Sequence, residues 1–315
     1  MNSPRILTAE IPLDLAGLRL DQALSTIFPE YSRSRLQEWI RIGAALIDGT
    51  ALPAKHRVLG GEQICLRTES QSLTQVAAQD IPLGIVHEDD AIIIVEKPAG
   101  LVVHPAAGHP DGTLQNALLN HCETLAGVPR CGIVHRIDKD TSGLLMVAKT
   151  LEAHKILVDQ LQERSVHREY VALCQGAMTG GGSIDQPIGR HGMDRKRFAV
   201  VRTGGKAAVT HYRLAERFAT HTLIHVMLET GRTHQIRVHM AHINYPLVGD
   251  PVYGGRFKIP AGASPQLTAT LRDFARQALH AASLGFLHPD TGEYVEWQSP
   301  LPADFAHLLA TLRAG

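Results

Sequence analysis

The residues best suited to do chemistry lie in one stretch of the chain, Gly132–Lys149. It brings five ionisable side chains together within six positions: His135, Arg136, Asp138, Lys139 and Asp140. Carboxylates such as Asp138 and Asp140 can act as nucleophile, base or acid. An apolar pair precedes this charged cluster, and Leu144–Ala148 follows it as a short apolar run that is typical of a buried strand. A polar loop anchored in the core at both ends is held rigidly, which is how proteins usually present reactive side chains.

A second charged motif, Leu228–Met240, contains an arginine in an apolar setting. From position 233 its residues alternate with period two, which predicts a β-strand that carries Arg237 and His239 on one face. Because Arg237 stands between Ile236 and Val238, we expect its side chain to be buried or half-buried. A buried arginine requires a carboxylate partner, so this motif predicts an ion pair within the protein.

Two other chemistries can be drawn from these residues. A metal-dependent hydrolase would need a zinc site made from four of them: His234, His239, His242 and Asp250. On a strand, however, His234 and His239 would face opposite ways. A retaining glycosidase would use Asp138 and Asp140, but side chains two residues apart on one loop can hardly straddle a sugar at about 5 Å. The sequence contains no GxGxxG, Walker A or HExxH motif, so we expect neither a cofactor nor a metal.

The first motif resembles the signature of the RluA-type pseudouridine synthases, in which His-Arg-Leu-Asp precedes Thr-Ser-Gly and an apolar strand; here Ile137 replaces the usual leucine. The second motif is similar to the family's Thr-Gly-Arg-x-His-Gln-x-Arg-Val-His segment. Further matches at Lys97–Gly100, Pro246–Gly255 and Leu279–Ala281 extend the resemblance over nearly the whole chain. We expect Lys97 only to cap its turn. The resemblance implies an isomerase that breaks the C1′–N1 bond of uridine in RNA, turns the base and rejoins it through C5.

The resemblance also implies roles for individual residues. Asp138 is the catalytic residue, which either attacks C1′ or removes a proton from the ribose 2′ carbon, and Arg237 is the basic residue that pairs with it. Tyr170 belongs in the active site, where its ring can stack on uracil and its hydroxyl can carry a proton. Arg136 can fill the space that a flipped base leaves, and Arg232 is expected to bind substrate as well.

The N-terminal part of the chain predicts a small separate unit. The spacing of apolar residues from Leu20 to Ile27 predicts an amphipathic helix, and Ser32 is a suitable N-cap for a second one. Two short strands follow. This arrangement looks like the small RNA-binding domain shared with a small-subunit ribosomal protein, an S-four-like domain. The resemblance implies that the second helix presents basic side chains to RNA, namely Arg33, Arg35 and Arg41; a solvated helix face is the alternative.

We therefore predict an α+β protein with two domains. Residues 1–67 form the S-four-like α/β RNA-binding domain, whose core spans 18–66. The polar, patternless residues 68–80 form a linker. Residues 81–315 form the pseudouridine synthase catalytic domain, built on a mixed, largely antiparallel sheet. Residues 1–15 are interpreted as an extended lead-in.

A local cluster of positive charge lies between positions 190 and 206. It contains six basic residues against one acidic residue, Asp194: Arg190, Arg195, Lys196, Arg197, Arg202 and Lys206. Clustering these charges is unfavourable without an anionic partner. The segment therefore predicts a mobile hairpin that faces RNA, with a solvated loop as the alternative.

The overall composition is that of an ordinary globular protein. The chain has 315 residues, 44% of them hydrophobic, and its 31 basic residues equal its 31 acidic ones, so any RNA-binding charge has to be local. No stretch of eighteen apolar residues or signal-peptide pattern is present, so we expect no membrane association. Four cysteines without a Cys-x-x-Cys pair fit a reducing cytoplasm.

The expected partner is large-subunit ribosomal RNA, either naked or within a preribosomal particle, and we expect a monomer. The competing interpretation is a non-catalytic protein that binds ribosomal RNA, or helps to assemble ribosomes, through its N-terminal domain alone. The combination of Asp138, Tyr170 and Arg237 favours the enzyme.

Overall fold

The computed structural model describes residues 5–29, 31, 33–68, 76–106, 108–194, 197–256, 259 and 262–314. It divides the chain into two compact units, Met1–Ser72 and Leu73–Gly315, and each has its own hydrophobic core. The first unit is a small α/β domain with five elements: β1 (Arg5–Glu10), α1 (Leu20–Ile27), α2 (Arg33–Arg41), β2 (Ala45–Ile47) and β3 (Gln63–Thr68).

Both helices of the first unit form where the apolar spacing predicts them. Leu20 and Leu24 of α1 and Leu36 and Ile40 of α2 are buried together against the sheet. The sheet order is β1-β3-β2, and all of its pairs are antiparallel. β1 forms within the predicted lead-in, where sequence alone gave no partner for it. The predicted N-cap of α2, Ser32, lies outside the described residues.

The second unit contains sixteen described α-helices and β-strands. These are β4 (Gly84–Glu88), β5 (Ile92–Lys97), α3 (Leu114–His121), β6 (Ser142–Ala148), α4 (Leu151–Gln162), β7 (His167–Gln175), β8 (Gly182–Asp185), β9 (Ile188–Arg190), β10 (Phe198–Val200), β11 (Val209–Arg217), β12 (His221–Leu228), α5 (Gln235–His242), α6 (Pro265–Asp273), β13 (Leu279–Leu287), β14 (Tyr294–Gln298) and α7 (Ala303–Ala314).

One large sheet organises this unit, in the order β4-β5-β6-β13-β7-β12-β11-β8, with β14 also paired to β13. Among the described strands, β6 and β13 are the one parallel pair, and the other pairs are antiparallel. The predicted mixed, largely antiparallel sheet is confirmed. β9 and β10 form a separate hairpin within the basic segment. In the described part of the chain, no helix has both the length and the apolar character needed to cross a membrane.

β6 is buried on both faces, which explains the continuous apolar run in its sequence. Leu145 and Val147 pack into the same cluster as α3, whereas Leu144 and Met146 pack into the cluster that contains α4. The loop that carries Asp138 therefore leads directly into one of the most firmly held strands of the sheet.

The prediction of a strand from position 233 to 240 is wrong, because helix α5 begins at Gln235 and extends to His242. Six consecutive residues of this helix, Gln235 to Met240, are buried. A helix buried on all sides has no polar stripe, so its apolar residues mimicked the alternation of a strand over a short window. The side chains of Ile236 and Met240, one turn apart, enter one core, and Val238 enters another.

The predicted linker has two different parts. Residues 69–75 lie outside the described residues. Residues 77 and 79, in contrast, are attached to the second unit: Asn116 Nδ2 donates to the Ala77 carbonyl at 2.8 Å, and the Gly112 amide donates to Gln79 Oε1 at 2.7 Å.

Candidate active site

Asp138 lies on a loop that is tied to the core, just after Asp138, by a fully buried lysine. Lys97 Nζ donates to three carbonyls, those of Pro98 (2.6 Å), Leu101 (2.9 Å) and Lys139 (2.8 Å). Lys97 therefore does more than cap its turn, since it joins that turn to the residue that follows Asp138. Burial lowers the pKa of Lys97 to about 7, against the opposing effect of nearby carboxylates.

The same loop is attached to β6 by a histidine and a glycine. His135 Nε2 accepts the Met146 amide at 3.1 Å, and burial, followed by the charge of Arg168, lowers the pKa of His135 to about 3, so the ring is neutral. Gly143 adopts a φ of +111°, and a Cβ there would lie 2.2 Å from the carbonyl oxygen of Ala281 on β13. A glycine is therefore required where the start of β6 pairs with β13.

Arg237 is shared between two carboxylates. Its Nη1 donates to Asp138 Oδ2 at 2.9 Å, while its Nε and Nη2 donate to the two oxygens of Asp250 at 2.7 and 2.9 Å. Asp250 Oδ1 also accepts the amides of Val252 and Tyr253. Burial opposes the charge of Arg237, but the bonds and charges of Asp250 and Asp138 outweigh it and raise the pKa of Arg237.

Asp138 is therefore left with one oxygen that Arg237 does not engage. Its side chain is 15% exposed, whereas that of Asp250 is fully buried. Asp250 anchors the guanidinium, and Asp138 presents its second oxygen to the cleft. From the sequence, Asp250 was considered only for the alternative zinc site and was not identified as a partner of Arg237.

Tyr170 and the predicted substrate-binding residues Arg136 and Arg232 line the same cleft as Asp138 and Arg237. Tyr170 lies on β7 and is buried, and burial raises the pKa of its hydroxyl, which is therefore protonated at neutral pH. Arg136 is exposed at the cleft. Arg232 Nε is bound to the Ala207 carbonyl at 3.0 Å.

His234, a residue not predicted to act in the synthase site, also lines this cleft. It adopts a left-handed conformation, with φ of 58°, immediately before α5. Tyr253 OH accepts the Phe198 amide at 3.0 Å, so its own proton can be donated to His234 Nδ1 at 2.8 Å. That arrangement leaves the ring proton on Nε2, which lies 3.9 Å from Asp138 Oδ1.

The four residues of the alternative zinc site, His234, His239, His242 and Asp250, do not form a metal-binding group. His239 uses both ring nitrogens elsewhere, on Thr210 Oγ1 and the Gln186 carbonyl. Among the residues that the structure describes, no group of three or more His, Cys, Asp or Glu side chains could hold a metal ion. Because α5 begins at Gln235, strand geometry does not separate His234 from His239, and the hydrogen bonds of His239 are what exclude it as a zinc ligand.

The predicted RNA-binding residues of α2 have acidic neighbours. Arg33 donates to Asp21, a fully buried carboxylate that also accepts from Arg19 and Gln37. Arg41 is exposed and pairs with Glu38. The side chain of Arg35 lies outside the described residues, as do Arg195 and Lys196 of the basic segment.

The basic hairpin contacts elements of the catalytic site. The Arg190 guanidinium lies 5.0 Å from the centre of the Phe198 ring, and that of Arg197 lies 5.4 Å from the centre of the Tyr253 ring. The Phe198 amide also donates to the Tyr253 hydroxyl, and that hydroxyl contacts His234 Nδ1. The hairpin is therefore connected to His234.

Comparison with known proteins identifies relatives over the whole length of the chain. The family model described as RNA pseudouridylate synthase matches residues 91–242. Ribosomal large subunit pseudouridine synthase D of Pseudomonas aeruginosa is 60% identical over 305 residues, which are 97% of this chain and 95% of that protein. The protein of the same name from Escherichia coli is 54% identical over 309 residues, covering 98% and 94%. Among solved structures, Human RNA Pseudouridylate Synthase Domain Containing 4 aligns with a TM-score of 0.57 at 26% identity, over 73% of this chain and 93% of that one.

Proposed function

Because this chain belongs to the RNA pseudouridylate synthase family, we propose that it converts uridines of large-subunit ribosomal RNA to pseudouridine, with Asp138 as its catalytic carboxylate. The reaction is an isomerisation. The substrate proposal is supported by full-length relatives that are named as large-subunit synthases. The proposal for Asp138 is carried by one observation: it lies in a cleft beside Tyr170, with one oxygen on Arg237 and the other not engaged by it.

The chemistry needs an ionised carboxylate next to the ribose. Asp138 either attacks C1′ or removes a proton from the 2′ carbon, and both roles use the same charged oxygen. Arg237 stabilises that charge through a hydrogen bond of 2.9 Å. Because Asp250 takes two N–H groups of the guanidinium, Arg237 is fixed in place and donates only one bond to Asp138.

Tyr170 and Arg136 are proposed to handle the base. The Tyr170 ring offers a surface on which uracil can stack, and its protonated hydroxyl can carry a proton during rotation of the base. A uridine in a stem or loop has to be flipped out first, at a cost of a few kcal/mol. Arg136, exposed at the cleft, can occupy the space that the base leaves, and Arg232 is proposed to bind the same nucleotide.

The two units are proposed to divide the work. The catalytic unit performs the isomerisation, and the N-terminal unit acts as an S-four-like RNA-binding domain through α2. Arg41 is the more accessible contact, since Arg33 is already bound to a buried carboxylate. We propose that the protein acts in the cytoplasm as a monomer, on naked RNA or on a preribosomal particle.

The decisive experiment is a base-conversion assay on large-subunit ribosomal RNA. Purified protein should produce pseudouridine at defined positions of a transcript, or of precursor particles isolated from cells that lack it. Mapping pseudouridine in cellular RNA with and without the protein then identifies its targets. A protein that binds both substrates but converts no uridine would instead fit the non-catalytic RNA-binding alternative.

A further inference from the structure

Arg168 is a buried arginine that has no carboxylate partner in the part of the chain that the structure describes. It lies on β7 and is 8% exposed. Its Nη2 makes only two long hydrogen bonds, to the carbonyls of Leu228 (3.4 Å) and Glu229 (3.3 Å), and its buried Nε has no partner among the described residues. Arg237, equally buried, is held by two carboxylates. A buried cation of this kind requires an anion, and the described residues do not supply one.

The position of Arg168 shows where that anion could bind. Its side chain lines the active-site cleft and also a second, larger cavity of about 640 Å³, which we call the flanking groove. Arg136 and Gly231 line both spaces, and Arg130 lines the flanking groove alone. Gly231 leaves room for the guanidinium, because a Cβ there would lie 3.1 Å from Arg168 Nη1.

The flanking groove carries unbalanced positive charge. Three arginines line it, and of the described residues around it none is acidic. Arg130 and Arg136 have no hydrogen-bond or ion-pair partner within the described chain. The positive charges of Arg130 and Arg136 act on the neighbouring His104. Burial is the main cause of its lowered pKa, and these two charges lower it further. The burial of Arg168 lowers its own pKa, as expected for a cation that lacks a counter-charge.

We propose that Arg168, together with Arg130, forms a binding site for a phosphodiester group of the RNA strand next to the flipped uridine. The inference rests on the proposed function, since it takes RNA as the substrate. A nucleotide in the cleft brings a phosphate on each side of its ribose, and the flanking groove adjoins the cleft. Guanidinium groups bind phosphate oxygens through paired N–H bonds, and a groove of this volume is in the range of ligand sites.

Binding of one phosphate can be tested with a double-mutant cycle in which the arginine and the phosphate linkage are changed separately and together. Full-length Asp138→Asn protein, which is expected to bind without turnover, is titrated with a stem-loop that contains the target uridine. The stem-loop carries either a normal linkage or one neutral methylphosphonate, placed on the 5′ or the 3′ side of that uridine. The ribose beside the linkage is 2′-O-methylated in both RNAs to prevent strand cleavage. With Arg168 present, neutralising the bound phosphate should weaken binding about tenfold to a hundredfold.

The same titrations with Arg168→Gln in the Asp138→Asn chain test the contact. The variant should bind the normal RNA more weakly than the parent does, and the methylphosphonate should then weaken binding by a smaller factor than in the parent, because Arg130 still faces the phosphate. Arg313→Gln is the matched control, because Arg313 is an exposed arginine on α7, paired with Glu216 and outside both cavities. Its response to the methylphosphonate should equal that of the parent.

A second variant, at Arg130, keeps the proposal testable if Arg168→Gln fails to fold. Arg130 is exposed and adopts a left-handed conformation, with φ of 54°, which asparagine tolerates well. Arg130→Asn should therefore fold and should also reduce the methylphosphonate effect at one linkage. Thermal melting without RNA gives an independent readout: Arg168→Met should melt at the same temperature as the parent or higher, because it removes an uncompensated buried charge.

Two results would overturn the proposal. The first is an equal methylphosphonate effect, at both linkages, in the parent, Arg168→Gln and Arg130→Asn chains. The second is a large fall in the melting temperature of Arg168→Met, which would identify Arg168 as a structural residue. Wild-type turnover, measured in parallel, separates either result from a failure of the proposed function itself.

Discussion

At the scale of single residues, the site depends on one guanidinium that serves two carboxylates with different tasks. Asp250 is fully buried and accepts two bonds from Arg237 as well as two backbone amides. Asp138 accepts one bond from Arg237 and stands at the cleft. The buried Arg237–Asp250 pair fixes the position of the guanidinium, so Asp138 can react while Arg237 stays in place.

The first prediction at this scale concerns Asp138→Asn, which keeps the size of the side chain and removes its charge. If the carboxylate is nucleophile or base, turnover should fall by at least about 10⁴-fold, the upper end for a single acid–base group. RNA affinity should be nearly unchanged, because phosphate contacts lie on other residues. Single-turnover kinetics and a filter-binding titration measure the two quantities. A rate within tenfold of wild type would refute the catalytic assignment.

The second prediction concerns the stability of the Arg237 pair. Arg237→Ala leaves two carboxylates without their partner, so about 3–5 kcal/mol of unfolding free energy should be lost together with activity. Adding Asp250→Asn should restore more of that stability than adding Asp138→Asn, because Asp250 is fully buried and its amide replacement can still accept the two backbone N–H groups. Urea unfolding of the single and double variants measures this. Equal recovery by both second substitutions would contradict it.

At the scale of structural elements, the catalytic loop is held by contacts at both ends. Lys97, at the end of β5, donates to the Lys139 carbonyl, and His135 accepts from the Met146 amide of β6. Both contacts use backbone atoms next to Asp138 or in the strand that follows it. They fix the position of the carboxylate relative to Arg237, which comes from the distant helix α5.

The prediction at this scale is that Lys97→Met disturbs both folding and catalysis. The methionine fills a similar volume but removes the three N–H bonds of a fully buried ammonium group, and the carbonyls of Pro98 and Leu101 lose this partner, whereas the Lys139 carbonyl keeps the Gly100 amide. A loss of about 2 kcal/mol or more is expected, since each unmet group costs about 1–3 kcal/mol. Turnover should fall as well, because the residue that follows Asp138 is then held by one bond instead of two. Lys155→Met, at an exposed position on α4, is the control; equal melting temperatures for the two variants would disprove the role of Lys97.

At the scale of the whole molecule, two separate cores predict two separable activities. The N-terminal core is complete within Met1–Ser72, and the catalytic sheet is complete within Leu73–Gly315. A truncation that removes residues 1–75 keeps the contacts of Ala77 and Gln79 with the catalytic unit. It should retain a cooperative melting transition and turnover on a short stem-loop, with weaker RNA binding. A truncated protein that melts normally but converts no uridine would contradict this division of work.

Acid stability is a second property of the whole catalytic unit. Burial is the first cause that lowers the pKa of several of its histidines: His104, His135, His154, His221, His234, His239 and His280. Their pKa in the unfolded chain is about 6.5. Below that pH the unfolded state binds more protons than the folded state, so stability is lost as the pH falls.

His135 gives this prediction a specific test. Its folded pKa of about 3 means that its contribution is complete above pH 6.5 and is lost as the pH falls towards 3. His135→Gln keeps an acceptor for the Met146 amide and should reduce the slope of unfolding free energy against pH by up to about 1.4 kcal/mol per pH unit between pH 6 and pH 4. His307→Gln, at an exposed position, controls for the substitution. Urea unfolding over a pH series should show slopes that differ between wild type and His135→Gln; parallel slopes would refute it.

The sequence by itself determined the parts of this protein that depend on neighbouring residues. The apolar run of β6, the helical spacing of α1 and the local motif around Asp138 each depend on a few consecutive positions. The mixed, largely antiparallel sheet was predicted together with the family resemblance, and not from one local pattern. α5 was mistaken for a strand because a short helix buried on all sides lacks the polar face that identifies a helix.

The tertiary structure alone decided which charged groups meet. Asp138 and Arg237 are 99 residues apart, and the requirement for a carboxylate partner could be predicted while the second partner, Asp250, could not. Lys97 reaches a carbonyl 42 residues away, and Arg168 meets no carboxylate among the described residues. Ion pairs and hydrogen bonds depend on distances of a few ångströms between side chains from different elements. Those distances are fixed by how the strands and helices pack, which no local pattern in the sequence records.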